Sequence, residues 1–150
     1  MNKDIPYILR NMVEEDKGHI FTTWLKTFWK VSPMHNCPPD FYLEHQRAII
    51  EKLLETATTQ IICAPEDPEY IYGYICYELV AGIMILHWLN IKPNWRRLGL
   101  MHSVLTALYP NVGKQAIILT HNIHDMTRLK DKYMLSYNPY YITDRLRGIL

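Results

Sequence analysis

The stretch Leu89-Asn90-Ile91-Lys92-Pro93-Asn94-Trp95-Arg96-Arg97-Leu98-Gly99-Leu100-Met101 joins an apolar, strand-like run to an amphipathic one through a basic turn. Proline has no N–H and cannot extend a strand ladder, so the strand ends at Pro93. From Leu98 to Tyr109 the apolar residues fall at 98, 101, 104, 105 and 108, which is helical spacing. The first N–H groups of such a helix lack internal partners and lie at the positive end of its dipole, an arrangement that favours a phosphate. Gly99 lets the backbone approach that group, and Arg96 and Arg97 add charge and forked donors. The same residues equally suit an ordinary strand-to-helix connection with solvated arginines.

A chain of 150 residues is long enough for one domain with a hydrophobic core and short for two, so residues 1–150 are expected to form a single domain. With 49% apolar and 21% charged residues, the composition is that of a folded globule and excludes disorder. The formal charge of +1 gives no overall pull toward nucleic acid. Cys37, Cys63 and Cys76 are odd in number and lack CxxC spacing, which argues against a disulfide framework or a zinc knuckle. No uncharged run reaches the length of a membrane span, and a soluble, cytoplasmic protein is expected.

Tyr7 to Arg10 reads as a strand, and the acidic Glu14-Glu15-Asp16 opens a helix with its apolar face at Ile20, Phe21, Trp24, Leu25 and Phe28. The proline-rich 32–40 loop breaks regular structure, either as a rigid connection or as the wall of an acceptor pocket, and Asp40 is the expected N-cap of a helix over Phe41 to Leu54. Thr58 to Ala64 and Tyr70 to Glu78 form a hairpin about Pro65-Glu66-Asp67-Pro68, and Ile83 to Ile91 adds another strand. After the helix ending at Pro110, Lys114 to Thr120 is a short buried strand, Met126 to Leu135 a helix, and Pro139 to Thr143 a last strand. Strand, helix and strand in succession predict a right-handed parallel crossover and an α/β fold in that half.

This order of elements, together with the turn, resembles the GNAT superfamily of acyl-CoA-dependent N-acyltransferases over nearly the whole chain. Leu9-Arg10 followed by Glu14-Glu15-Asp16 looks like the end of the family's first strand and the start of its first helix. Ile71-Tyr72-Gly73-Tyr74-Ile75 looks like its third strand, and Leu89 to Trp95 resembles the end of its fourth. The family's pyrophosphate signature is Arg or Gln, two variable residues, Gly, one variable residue, then Gly or Ala. Arg96 and Gly99 match it, and Met101 stands where the family has little or no side chain.

The resemblance implies a central mixed sheet flanked by helices and splayed open near Leu89, Asn90 and Ile91, with acetyl-CoA entering at the splay. The pyrophosphate would meet backbone N–H groups of Arg97, Leu98, Gly99, Leu100 and Met101, and the thioester would lie beside the fifth strand. An amine of a small molecule or protein would attack the thioester carbonyl, which calls for a base and for an acid at the departing thiolate. Relatives often take that acid from a tyrosine in the helix after strand five. The equivalent position falls near Leu129 or Lys130, so Tyr133, a turn later, is the candidate acid. Glu78, His87 and His121 are the candidate bases, although strand histidines and helical tyrosines commonly pack.

His121 and His124 form a pair without a third ligand in sequence, so no metal is expected. Trp24 and Phe28 belong to the core; Trp88 and Trp95 flank the groove, with packing favoured for Trp88. Met101, the displaced tyrosine and Tyr137, Tyr140 and Tyr141 keep a second reading open. It is a catalytically silent GNAT-fold component of a larger assembly, such as a viral particle, bound to a protein partner or to further copies of itself. Nucleic-acid binding through Arg96, Arg97, Arg145 and Arg147 is the least favoured.

Overall fold

The computed structural model describes residues 5–31, 36–122 and 126–141. Its six strands form one sheet in sequence order, β1 (Ile8–Asn11), β2 (Thr58–Cys63), β3 (Ile71–Val80), β4 (Ile83–Ile91), β5 (Ile117–Leu119) and β6 (Leu135–Tyr137). The first four are antiparallel, whereas β4–β5 and β5–β6 are parallel. A parallel neighbour needs a crossover, and α3 (Leu100–Leu108) and α4 (Met126–Tyr133) supply the two.

The sheet is covered on both faces, so β3 and β4 are buried almost continuously rather than in alternation. On one face α1 (Lys17–Val31) and α2 (Pro39–Thr56) pack Ile20, Trp24, Phe28, Ile50 and Leu53 against Ile61, Tyr74 and Cys76. On the other, α3 and α4 pack Val104, Leu105, Leu129 and Tyr133 against Ile75, Met84, Leu86 and Ile117. Along β4 the parity of the buried side chains reverses: Met84 and Leu86 face α3, but Trp88 joins the α1 cluster. The register explains this. Cys76 pairs with Trp88 and Tyr77 with Leu86, so His87 is an extra residue, a β-bulge that turns everything after it to the opposite face.

Several expected boundaries shift for local reasons. Glu14–Asp16 is a separate 3₁₀ turn ahead of α1. α2 begins at Pro39 with Pro38 as its N-cap, because a proline at the first helical position presets the helical φ, and Asp40 lies in the first turn instead of capping it. α3 begins at Leu100, not Leu98, since Gly99 is its N-cap with a left-handed φ of 81°. α4 ends at Tyr133 because Met134 is left-handed, with φ of 53°, and the chain passes directly into β6 at Leu135. The last strand expected at 139–143 is therefore displaced to 135–137; Pro139 lies in a turn, Tyr140 and Tyr141 are helical, and 142 and 143 lie outside the described residues. Part of the 32–40 loop, residues 32–35, also lies outside them.

Arg10 and Asp16 clamp the start of α1 to β1. Two guanidinium nitrogens of Arg10 donate to the two carboxylate oxygens at 2.8 and 2.9 Å, Arg10 Nε donates to the Pro68 carbonyl, and Val13 N–H donates to Asp16. The hydrogen bonds from Arg10 hold the Asp16 carboxyl below the usual range, against the opposing effect of burial. A depressed carboxyl contributes stability above its unfolded pKa and loses it as pH falls through the folded one. Asp16→Asn is expected to destabilise the fold by about 1–3 kcal/mol at pH 7 in urea titration and to remove that part of the acid-induced loss.

Candidate active site

Parallel pairing of β4 with β5 runs only from Met84–Ile117 to Leu86–Leu119, and a bond from Thr120 N–H to the Leu86 carbonyl marks its end. Beyond that fork β4 continues to Ile91 with β3 on one side and, among the described residues, no strand on the other. A strand edge left in this way offers unpaired backbone groups. The edge opens onto a cavity of about 600 Å³ that reaches Thr27 of α1, the turn after β4, the first turn of α3 and one face of α4.

Leu89, Asn90 and Ile91 line the cavity, as do Arg96, Arg97, Gly99, Leu100 and Met101. Leu98 does not: it is 43% exposed at the crest of the turn. Arg97 and Gly99 both have left-handed backbone, with φ of 62° and 81°, and a turn of that kind directs successive N–H groups inward. Arg96 folds back so that Nε donates to the Ile91 carbonyl at 2.6 Å, tying the turn to the strand end. Trp95 is fixed by stacking on Tyr72, with ring centroids 4.0 Å apart.

From α4, residues 128, 129, 132 and 133 share the wall, which is one helical face at i, i+1, i+4 and i+5. Tyr133 is 3% exposed, its hydroxyl lies 3.3 Å from His102 Nδ1, and Lys132 Nζ sits 5.2 Å from its ring centroid. Lys130 is outside this face.

Glu78 and His87 are absent from the cavity wall. Their side chains meet on the α1 and α2 side of the fork, where a line of hydrogen bonds runs through the interior. His87 Nε2 is 2.8 Å from Glu78 Oε2, His87 Nδ1 2.9 Å from Thr120 Oγ1, Thr120 Oγ1 3.1 Å from His121 Nδ1, and His121 Nε2 2.9 Å from Gln46 Nε2. A carboxylate only accepts, so His87 Nε2 carries hydrogen; with both imidazoles neutral the rest follows in one direction. Gln46 donates to His121, His121 Nδ1–H to Thr120, and the Thr120 hydroxyl to His87 Nδ1. Burial, with His87 adding to it, pulls the His121 imidazole down to about 3, which agrees with a neutral ring. His121 is packed among Phe28, Trp24 and Trp88, with centroids 4.8, 5.3 and 6.1 Å away.

No family model matches the sequence, and no curated protein matches it. The structure, however, is similar to that of a Pyrococcus furiosus protein named as a candidate acetyl transferase, over 95% of this chain and 91% of that one, with a TM-score of 0.55 and 17% identity. The chain has the GNAT acyltransferase fold. Weaker likenesses include PaiA N-acetyltransferase from Thermoplasma acidophilum in complex with coenzyme A, with a TM-score of 0.45 and 14% identity over 69% of this chain and 70% of that one. Another is a candidate GNAT-family acetyltransferase from Desulfovibrio desulfuricans, with 0.43 and 15% over 68% and 62%.

In this GNAT-fold chain, sequence reasoning passed over Thr27, His102, Arg128, Leu129 and Lys132 as wall residues. The i, i+4 repeat of Arg128 with Lys132 and of Leu129 with Tyr133 was the available signal for the α4 face. Nothing in the sequence places Thr27 or His102 beside them. His124 and Ile123 lie outside the described residues, and among those described no cluster of three metal-ligating side chains occurs. No helix among the described residues is long and apolar enough to cross a membrane.

Below about pH 6.5 the unfolded chain protonates His121 while the folded chain does not until about 3, so stability is lost as pH falls through that window. His121→Gln is expected to flatten this part of the curve in urea titrations between the two pH values. Thr120→Val, which breaks the line in its middle, should destabilise by about 1–3 kcal/mol at neutral pH.

Proposed function

We propose that this chain is an acyl-CoA-dependent N-acyltransferase that moves an acetyl group from acetyl-CoA to a primary amine of a small molecule or protein. The observation that carries the reading is the meeting of three features in one cavity: the unpaired edge of β4 past the fork, the left-handed basic turn, and the start of α3. An extended chain with amide groups, such as the pantetheine arm, pairs with a free strand edge as another strand would. A pyrophosphate suits the N–H groups between Arg97 and Met101, and Arg97, Arg128 and Lys132 bring positive charge to the same wall. Arg96 acts through Ile91, holding the turn against the strand rather than reaching for a phosphate with its Nε.

In the reaction the amine nitrogen forms a bond to the thioester carbonyl carbon and the C–S bond breaks. The electron pair leaves on sulfur, which must gain a proton. Tyr133 is the proposed acid: it is the wall residue on α4 whose hydroxyl can give a proton, and the Lys132 ammonium lies over its ring, 5.2 Å from the centroid. The Glu78–His87 pair stands behind Trp88 with both imidazole nitrogens engaged, so in this reading it holds the bulge and the fork in place. The amine then reacts as its free base, having lost its proton to water.

Met101 on the wall supports the second reading, a GNAT-fold protein retained for binding rather than turnover. Calorimetric titration tests the first reading, and turnover of acetyl-CoA with an amine counts against the second. Binding of acetyl-CoA with a dissociation constant below about 1 mM supports the acyltransferase, and no heat at that concentration overturns it. Met101→Ala removes the side chain at the place of the family's small residue and is expected to tighten binding by at least about threefold.

A further inference from the structure

A phenol that gives up a proton inside a protein must be recharged before the next cycle, and Tyr133 is buried. Its hydroxyl faces His102 Nδ1 at 3.3 Å, across the gap between α4 and α3. His102 stands in the first turn of α3 on the cavity wall, and it is exposed to solvent on its other side. The two rings are 6.0 Å apart and inclined by 41°, so contact is made through the hydroxyl and the ring nitrogen rather than by stacking. A histidine between a buried acid and bulk water is the side chain best suited to carry protons at neutral pH.

We infer that His102 is the proton feed of Tyr133, the link by which the buried phenol is recharged from solvent during acyl transfer. This rests on the acyltransferase reading and on Tyr133 as its acid. As the C–S bond breaks, the Tyr133 O–H proton passes to the thiolate sulfur, which leaves as a thiol. The Nδ1–H proton of the His102 imidazolium passes to the Tyr133 oxygen, and the neutral imidazole takes its proton back from water. The attacking amine nitrogen loses one N–H proton to water as the amide forms, and one proton enters from solvent through His102 for each thiol formed, so the count closes and no electron or further co-reactant is required. Lys132 holds the phenolate between the two transfers, with its ammonium 5.2 Å from the ring centroid.

The test uses the full chain with acetyl-CoA and hydroxylamine, an amine already unprotonated at neutral pH that needs no base and no fitted acceptor pocket. Calorimetry measures acetyl-CoA affinity, and release of the CoA thiol measures turnover. His102→Ala is expected to leave affinity within about threefold and lower kcat at least about tenfold. His102→Asn keeps a polar group near the place of Nδ1 but cannot pass a proton, so it should be as slow as the alanine variant. Tyr133→Phe should be as slow again, and the double variant with His102→Ala no slower, because the two residues act in series. If His102→Ala turns over within about twofold of the parent while still binding acetyl-CoA, the feed is overturned and the acyltransferase reading stands. Recovery of the rate in His102→Asn also overturns it, since a hydrogen bond alone would then suffice. A parent chain that binds acetyl-CoA but transfers nothing to hydroxylamine removes the feed as well. A parent that does not bind acetyl-CoA removes the acyltransferase reading itself.

Discussion

The structure turns on one extra residue in β4. Because His87 has no opposite number on β3, the strand changes parity there. Trp88 swings to the α1 face, and Leu89 and Ile91 pack toward α3. Parallel pairing with β5 ends beside it. A bulge left to itself adds twist and frees backbone groups. Here its side chain is held at both ring nitrogens, by Glu78 from β3 and by Thr120 from the end of β5, so the bulge and the fork are parts of one buried construction. Through Thr120 and His121 the same line reaches Gln46 of α2. A polar line of this kind is stabilising only while every member is satisfied, which makes the fork a rigid place in the sheet.

Rigidity at the fork gives the cavity its form. Past it, β4 has an edge that no strand among the described residues covers, and the chain leaves the strand through Pro93 into a turn whose arginine is tied back to Ile91. The start of α3 and the inner face of α4 complete the wall, and its cationic side chains come from the turn, Arg96 and Arg97, and from α4, Arg128 and Lys132. The cations and the left-handed amides favour anions, while Trp88, Leu89 and Ile91 keep the strand side apolar. The site is thus divided between a cationic mouth and an apolar strand side.

Much of the architecture was legible from local pattern. β4 was read with its observed ends, Ile83 and Ile91, because Gly82 and Pro93 bracket an apolar run. The helices at α1 and α3 and the hairpin of β2 with β3 followed from periodicity and turn residues. The misses were at ends set by backbone conformation rather than by composition. Met134 takes a left-handed φ, an uncommon place for a methionine, and so ends α4 before the periodic pattern does; β6 follows four residues earlier than expected. Of the residues named from sequence, those of the basic turn other than Leu98, the strand residues leading into it and Tyr133 line the cavity. His102, Arg128 and Lys132 were not so named, since they belong to the cavity only because two helices, separate in the chain, face each other across it.

The sequence by itself determined the order of elements, the stop at Pro93, a glycine in the turn, and the charge that the turn carries. These depend on neighbours in the chain, and a neighbour's chemistry can be read directly. The tertiary structure decided that Glu78 and His87 turn away from the cavity and that Tyr133 turns into it. That outcome depends on a one-residue offset between β3 and β4 and on the register of α4. Both are settled by packing on the two faces of the sheet, where a shift of one residue exchanges wall for core.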